Sequence, residues 1–250
     1  MGRIACILVA NFPLAALIRE NPAFKDTVLG LGEGAAAHSG LRFVSPRAAS
    51  LGIRPGMTVA QARALSTALV VVLRSAAAEK SAAEALLAAA RAVSPVVEAR
   101  ESGCVWLDLS GLGQIYQTED EIAAELVCRV RQVGMEPAVG IAASRELATL
   151  AARCGGIRII PVGGERDFSD SLPLELLDLA RYDAELEQTL ARWGLTRLGQ
   201  LAQLDPRTVG TRLGRHGAAL VQLAQGRDER PLSPYPYTET FRAAVDLDAR

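Results

Sequence analysis

Two rhythms of apolar and polar residues run along this chain, and each change from one to the other marks an element. Ile4 to Val9 is a short apolar run closed by Asn11 and Pro13, the pattern of a strand buried on both faces. Phe12 to Arg19 switches to helical spacing and stops before Asn21-Pro22, because a residue ahead of proline is pushed out of the helical region. Thr27 to Leu31 and Arg42 to Ser45 read as strands around a glycine-rich turn, Gly30 to Gly40, and Pro46 to Leu51 as a short helix ended by Gly52. Thr58 supplies an N-cap for the helix Val59 to Leu65. Leu69 to Leu73 is then a β-branched strand, Ala77 to Ala92 an Ala/Glu/Lys/Leu helix broken by Ser94-Pro95, and Val96 to Glu98 and Cys104 to Leu109 two further strands. Glu119 to Val133 places Ile122, Leu126 and Val130 on one helical face, and Ala138 to Ala142 is a strand feeding the helix Arg145 to Arg153.

From about residue 69 to 142 the order strand, helix, strand, strand, helix, strand is the split βαβ pattern of ferredoxin-like folds, whose helices cover one face of an antiparallel sheet. The fold class is therefore α+β. From Leu172 the pattern shifts to short helices with glycine turns at Arg192-Trp-Gly-Leu195 and Arg212-Leu-Gly-Arg-His-Gly217, which suggests a separate helical domain. Tyr235 to Arg250 reads as a linker and the first strand of a unit that these residues do not complete.

Composition narrows the chemistry. Half of the 250 residues are apolar and only 4% aromatic, with much alanine, so the core is built from Ala, Leu and Val, and helix outweighs strand. Cys6, Cys104, Cys128 and Cys154 form no CxxC pair, which speaks against a zinc site or a disulfide framework and for reduced thiols in a cytoplasmic protein. Asn11 and Pro13 break up the first apolar run, so it is a strand rather than a signal peptide, and no stretch has the apolar length of a membrane helix. Charge is almost balanced, 27 basic against 28 acidic residues, so any nucleic-acid affinity is local. His38 and His216 have no metal-like partner at helical spacing, no G-x-S-x-G elbow is present, and Gly-Leu-Gly-Glu-Gly at 30–34 has incomplete phosphate-loop spacing. No cofactor or metal is expected.

Four collinear blocks carry a resemblance: Ala49-Ser-Leu-Gly-Ile-Arg-Pro-Gly-Met-Thr-Val-Ala-Gln-Ala-Arg63, Val93-Ser-Pro-Val-Val-Glu98, Trp106-Leu-Asp-Leu-Ser110, and Ala138-Val-Gly-Ile-Ala142 with Leu147-Ala148. In this order they resemble the Y-family of translesion DNA polymerases over essentially the whole chain. The resemblance implies a palm at residues 1–11 and 77–165, fingers at 12–76, a helix-hairpin-helix thumb at 166–234, and at 235–250 a linker and the start of a mostly absent little finger. It also implies metal-holding carboxylates at Leu8, Ala10, Gly103 and Cys104, a tyrosine and an arginine on the triphosphate at Pro46 and Ala49, and a palm lysine at Thr149. None of those residue types is there. Magnesium needs hard oxygen ligands, whereas glycine offers none and a thiol is soft.

Leu8, Ala10 and Cys104 then read as core residues. Glu98, Glu101 and Asp108 are close enough in sequence to be weighed as a replacement metal set. Strand alternation opposes it, with Asp108 one repeat beyond Cys104 on the same face and Glu101 on the other. A retained scaffold with erased carboxylates resembles the ImuB-type accessory proteins of bacterial mutasomes. That likeness implies an adaptor in SOS-induced translesion synthesis, alongside a RecA-like partner, an error-prone replicative-type polymerase and the sliding clamp.

Thumb domains of this kind hold DNA phosphates at helix-hairpin-helix turns. The first such turn is replaced by Arg181, Tyr182 and Asp183. The second persists around Gly214 and Gly217, with Arg207, Arg212 and Arg215 and no acid between Pro206 and Gly226. Either these residues grip DNA backbone weakly or the glycines only shape a turn beneath solvated arginines. An active translesion polymerase and a protein-interaction module without a DNA role are the alternatives at the level of function.

Overall fold

A computed structural model describes residues 2–101, 103–177, 184–225 and 232–233. The opening apolar run forms β1 (Ile4–Leu8), followed by α1 (Phe12–Glu20), whose N-cap Asn11 takes a left-handed φ of 49°. β2 (Leu29–Gly32), β3 (Leu41–Val44) and β4 (Val70–Leu73) make one small sheet in the order β3-β2-β4, with β3 antiparallel and β4 parallel to β2. Gly30 and Gly32 lie within β2, so the Gly-Leu-Gly-Glu-Gly segment runs from a strand into a hairpin turn. Two short helices, α2 (Pro46–Ser50) and α3 (Val59–Leu65), connect β3 to β4. The expected cap of α3 is present as a full capping box between Thr58 and Gln61.

The second sheet has five strands. After α4 (Ala76–Arg91) come β5 (Val97–Glu101), β6 (Cys104–Asp108), α5 (Glu119–Gln132), β7 (Ala138–Ala142), α6 (Arg145–Arg153) and β8 (Ile157–Ile159), and the strand order is β5-β6-β1-β7-β8. β1 is antiparallel to both β6 and β7, and β8 adds in parallel to β7. A central strand covered on both sides must be apolar throughout, and Ala5, Cys6 and Ile7 are completely buried.

The split βαβ unit is therefore β1-α4-β5-β6-α5-β7, which corrects the expectation that Leu69–Leu73 is its first strand. That segment pairs with β2 instead. Val70 and Leu73 remain exposed, as suits an edge strand with little cover, whereas the slot between β6 and β7 is filled by the fully apolar β1. Local periodicity identified the strand but not its sheet.

Side-chain alternation divides the sheet cleanly. Ala5, Ile7, Val105, Leu107, Val139 and Ile141 face α4 and α5, which lay down Ala82, Leu86, Leu126 and Val130 against them. Cys6, Cys104, Trp106 and Ala142 face the other way, beneath Leu147, Ala148 and Ala151 of α6. α6 comes so close that a β-carbon on Gly140 of β7 would lie 2.1 Å from the Ala148 carbonyl oxygen, so only glycine fits there.

Beyond β8, a strand the periodicity did not predict, α7 (Glu165–Ser171), α8 (Ala184–Arg192), α9 (Leu198–Ala202) and α10 (Pro206–Ala224) supply Phe168, Leu186, Leu190, Leu201, Leu220 and Val221 to the cluster continuous with α6. The expected linker and little-finger start at 235–250, and the first hairpin at Arg181, Tyr182 and Asp183, lie outside the described residues.

Candidate functional site

The C-terminal end of β1 meets the start of β6, and this junction gathers Leu8, Ala10, Gly103 and Cys104. Leu8 lies directly opposite Cys104 in the antiparallel register. Cys104 is buried, Leu8 half-buried and Ala10 exposed, so the core reading holds for Cys104, in part for Leu8, and not for Ala10. One repeat along, Cys6 Sγ sits 3.6 Å from Cys104 Sγ, a thiol–thiol contact inside the apolar layer.

Gly103 turns the chain from β5 into β6 with φ 81°, a conformation that disfavours any residue with a β-carbon. Its carbonyl accepts the Val9 N–H at 2.8 Å, which clamps the turn onto the end of β1. A β-carbon at this position would lie 2.7 Å from Phe12 Cβ and 2.8 Å from the Val9 oxygen. The space a side chain would occupy already belongs to α1.

Two residues further along β6, the same face carries a polar network. Trp106 Nε1 donates to Thr149 Oγ1 at 2.8 Å, and Thr149 Oγ1 donates to the Arg145 carbonyl at 2.8 Å. The Arg145 guanidinium lies 4.2 Å from the centre of the Trp106 ring and donates to Glu98 Oε1 at 2.8 Å. Glu98 is 1% exposed, and its Oε2 accepts the Ser233 N–H at 2.7 Å. A buried charge is tolerated only when paired and hydrogen-bonded; here cation, carboxylate and aromatic face neutralise one another. Glu98 and Arg145 are 47 residues apart, and no spacing in the sequence announces them.

Among the described side chains, the alternative carboxylate set does not assemble into a metal site. Glu98 is spent on Arg145 and Ser233, and Asp108 Oδ1 accepts the Ser110 N–H at 2.8 Å. The Glu101 side chain lies outside the described residues. Among the described residues no three His, Cys, Asp or Glu side chains are grouped to hold a cation, and the donors at the β1–β6 junction do not fit magnesium.

Pro46 and Ala49 lie in α2, beside the three-stranded sheet. Pro46 is the first residue of α2 after the N-cap Ser45, and it is exposed. Ala49 is half-buried against Val44, Ile53 and their neighbours. Neither offers a hydroxyl or a cation.

The other singled-out residues lie along α10. Arg207, Arg212 and Arg215 are all exposed. Gly214 breaks the helix with φ 65° and ψ −166°, a region accessible essentially to glycine alone, so α10 is two helical limbs around a tight turn. Gly217 is buried, and a β-carbon there would lie 2.5 Å from Leu213 Cβ; its part is to let the limbs close. Asp205 caps the first limb, accepting both the Thr208 N–H and the Thr208 hydroxyl, and these bonds hold its carboxyl below the ordinary aspartate range. The sequence reading missed a cavity of about 590 Å³ beside this helix, between Trp193, Leu195, Leu204, Val209 and Arg212. The one sequence signal for it is a tryptophan at a glycine turn.

The impB/mucB/samB family model matches residues 7–153. Among curated proteins, DNA polymerase IV of Streptomyces coelicolor is 30% identical over 188 residues, covering 72% of this chain and 39% of that protein. Protein ImuB of Caulobacter vibrioides is 31% identical over 210 residues, covering 79% of this chain and 45% of that one. The chain thus spans less than half the length of these two relatives. Among solved structures, DinB from Sulfolobus solfataricus superposes with a TM-score of 0.77 at 16% identity, over 93% of this chain and 69% of that one. An insertion ternary complex of Dbh DNA polymerase gives 0.78 at 16% identity, over 92% and 69%. At that identity the structural likeness speaks for the fold alone.

Proposed function

The chain belongs to the impB/mucB/samB family of Y-family DNA polymerases, and from that premise we propose that it keeps the polymerase scaffold without the chemistry, serving as an adaptor in mutagenic translesion DNA repair. One observation carries this reading. At the β1–β6 junction, where the family's carboxylates are expected, Gly103 is held at positive φ under Phe12 and Cys104 is buried against Cys6. Catalysis of phosphoryl transfer lowers the barrier by on the order of 10 kcal/mol, mostly through metals and positioned charge. Leu8, Ala10, Gly103 and Cys104 supply no anionic oxygen, and Pro46, Ala49 and Thr149 supply no cationic or phenolic clamp.

In this reading the five-stranded sheet with α4 to α6 is the palm, the three-stranded sheet the fingers and α7 to α10 the thumb. DNA contact is made to backbone phosphates near Arg207, Arg212 and Arg215. A RecA-like protein, an error-prone replicative-type polymerase and the sliding clamp are the partners proposed, by likeness to Protein ImuB, and the setting is cytoplasmic. No helix among the described residues is long and apolar enough to cross a membrane.

An active translesion polymerase is the competing reading, favoured by the name DNA polymerase IV among the relatives. Primer extension by the full chain with magnesium or manganese separates the two. No extension is expected above a protein-free control, and elongated primer would overturn the proposal.

A further inference from the structure

Trp193 is 38% exposed at the turn after α8, an unusual place to leave a large aromatic ring on a protein with two tryptophans in all. It forms a wall of the cavity of about 590 Å³ whose apolar lining is completed by Leu195, Leu204 and Val209 and whose polar side includes Arg212 and Asp205. That volume falls within the range of roughly 300–1,000 Å³ typical of ligand sites.

The charge of this stretch of chain narrows the kind of ligand that fits. Between residues 192 and 225 there are five arginines, at 192, 197, 207, 212 and 215, and a single acid, Asp205, for a local charge of +4 on a chain of net charge −1. All five are exposed. The lone carboxylate is engaged in capping α10 through Thr208. An aromatic face beside apolar side chains, with Arg212 in the same wall, matches an unpaired nucleobase attached to a phosphodiester: the ring stacks and the guanidinium meets the flanking phosphate. A duplex, whose bases are already stacked, has nothing to place there.

We infer that this cavity is a stacking site for one base of single-stranded DNA, with Trp193 as the platform and Arg212 at the adjoining phosphate. The inference rests on the DNA-binding part of the proposed function and adds a preference for single strands to it. Trp106 is buried, so fluorescence changes on ligand addition report on Trp193.

The test titrates the full chain with a short oligothymidylate and, separately, with a duplex of equal length. The oligothymidylate is expected to quench tryptophan emission. Trp193→Ala should weaken single-strand binding about 5- to 150-fold, the range of one stacked base, and leave duplex binding unchanged, while Trp193→Phe retains most of the affinity. Equal single-strand affinity in Trp193→Ala, with duplex binding still dependent on the arginines, overturns this inference alone. Failure to bind either form overturns the DNA contact of the proposed function as well. Shielding of Trp193 by self-association in the absence of DNA assigns the cavity to a second copy and also overturns it.

Discussion

Gly103 lies so tightly under Phe12 that a β-carbon added to it would sit 2.7 Å from the Cβ of the phenylalanine. Together with φ 81°, this makes the position one that a carboxylate side chain cannot enter without displacing α1. Gly103→Asp should lower stability by roughly 2–5 kcal/mol, combining a positive-φ penalty of about 1–2 with overpacking of about 1–3. Urea unfolding of the purified variant measures it. A loss under 1 kcal/mol would mean that α1 yields readily and that the turn does not exclude a side chain.

The Glu98–Arg145 pair joins a buried carboxylate to a half-buried guanidinium stacked on Trp106. Removing only the acid, Glu98→Ala, leaves the guanidinium with the more distant Glu146 carboxylate at 3.9 Å and is expected to cost about 3 kcal/mol, the lower end for breaking a buried pair. Replacing both partners, Glu98→Leu with Arg145→Met, should restore most of that, because the loss comes from the uncompensated charge. A double-mutant cycle in urea decides the matter. Equal losses in the single and double variants would assign the effect to packing.

Asp205 holds a cap whose bonds to the Thr208 hydroxyl and N–H depress its folded pKa. A depressed carboxyl stabilises above its unfolded pKa, and the contribution disappears as pH falls through the folded value. The thermal midpoint of the wild-type chain should therefore exceed that of Asp205→Asn near neutrality, and the gap should close as pH falls below about 4. A gap that widens under acid would contradict the assignment.

Charge reversal at Arg212 and Arg215 should abolish DNA binding while leaving the helical content unchanged, as the side chains are exposed. With roughly three phosphates neutralised by Arg207, Arg212 and Arg215, the logarithm of affinity should fall with that of salt at a slope near −2.7. Fluorescence anisotropy over a salt series reads both, and a flat salt dependence would remove the phosphate contacts from the model.

Much of the fold was legible because local rules decide it. Apolar continuity marked β1, helical spacing with Ile122, Leu126 and Val130 marked α5, and a threonine cap marked the start of α3. The chemically blank positions were legible too, since a residue type with no oxygen ligand is blank in any fold. Three features were not: the β4 strand joined β2 instead of β1's sheet, β8 went unrecognised as a three-residue strand, and the Glu98–Arg145–Trp106–Thr149 network was invisible.

What the chain's order of residues settled alone was where most strands and helices run, which positions lack ligand atoms, and where arginines accumulate without acids. Only the folded packing decided that Gly103 has no room for a side chain, that Cys6 and Cys104 touch across 98 residues of chain, and that Trp193 and Arg212 border one cavity. The physical reason is range. Periodicity and capping act over a few residues, whereas strand pairing, buried charge compensation and cavity shape depend on which distant surfaces must exclude water together.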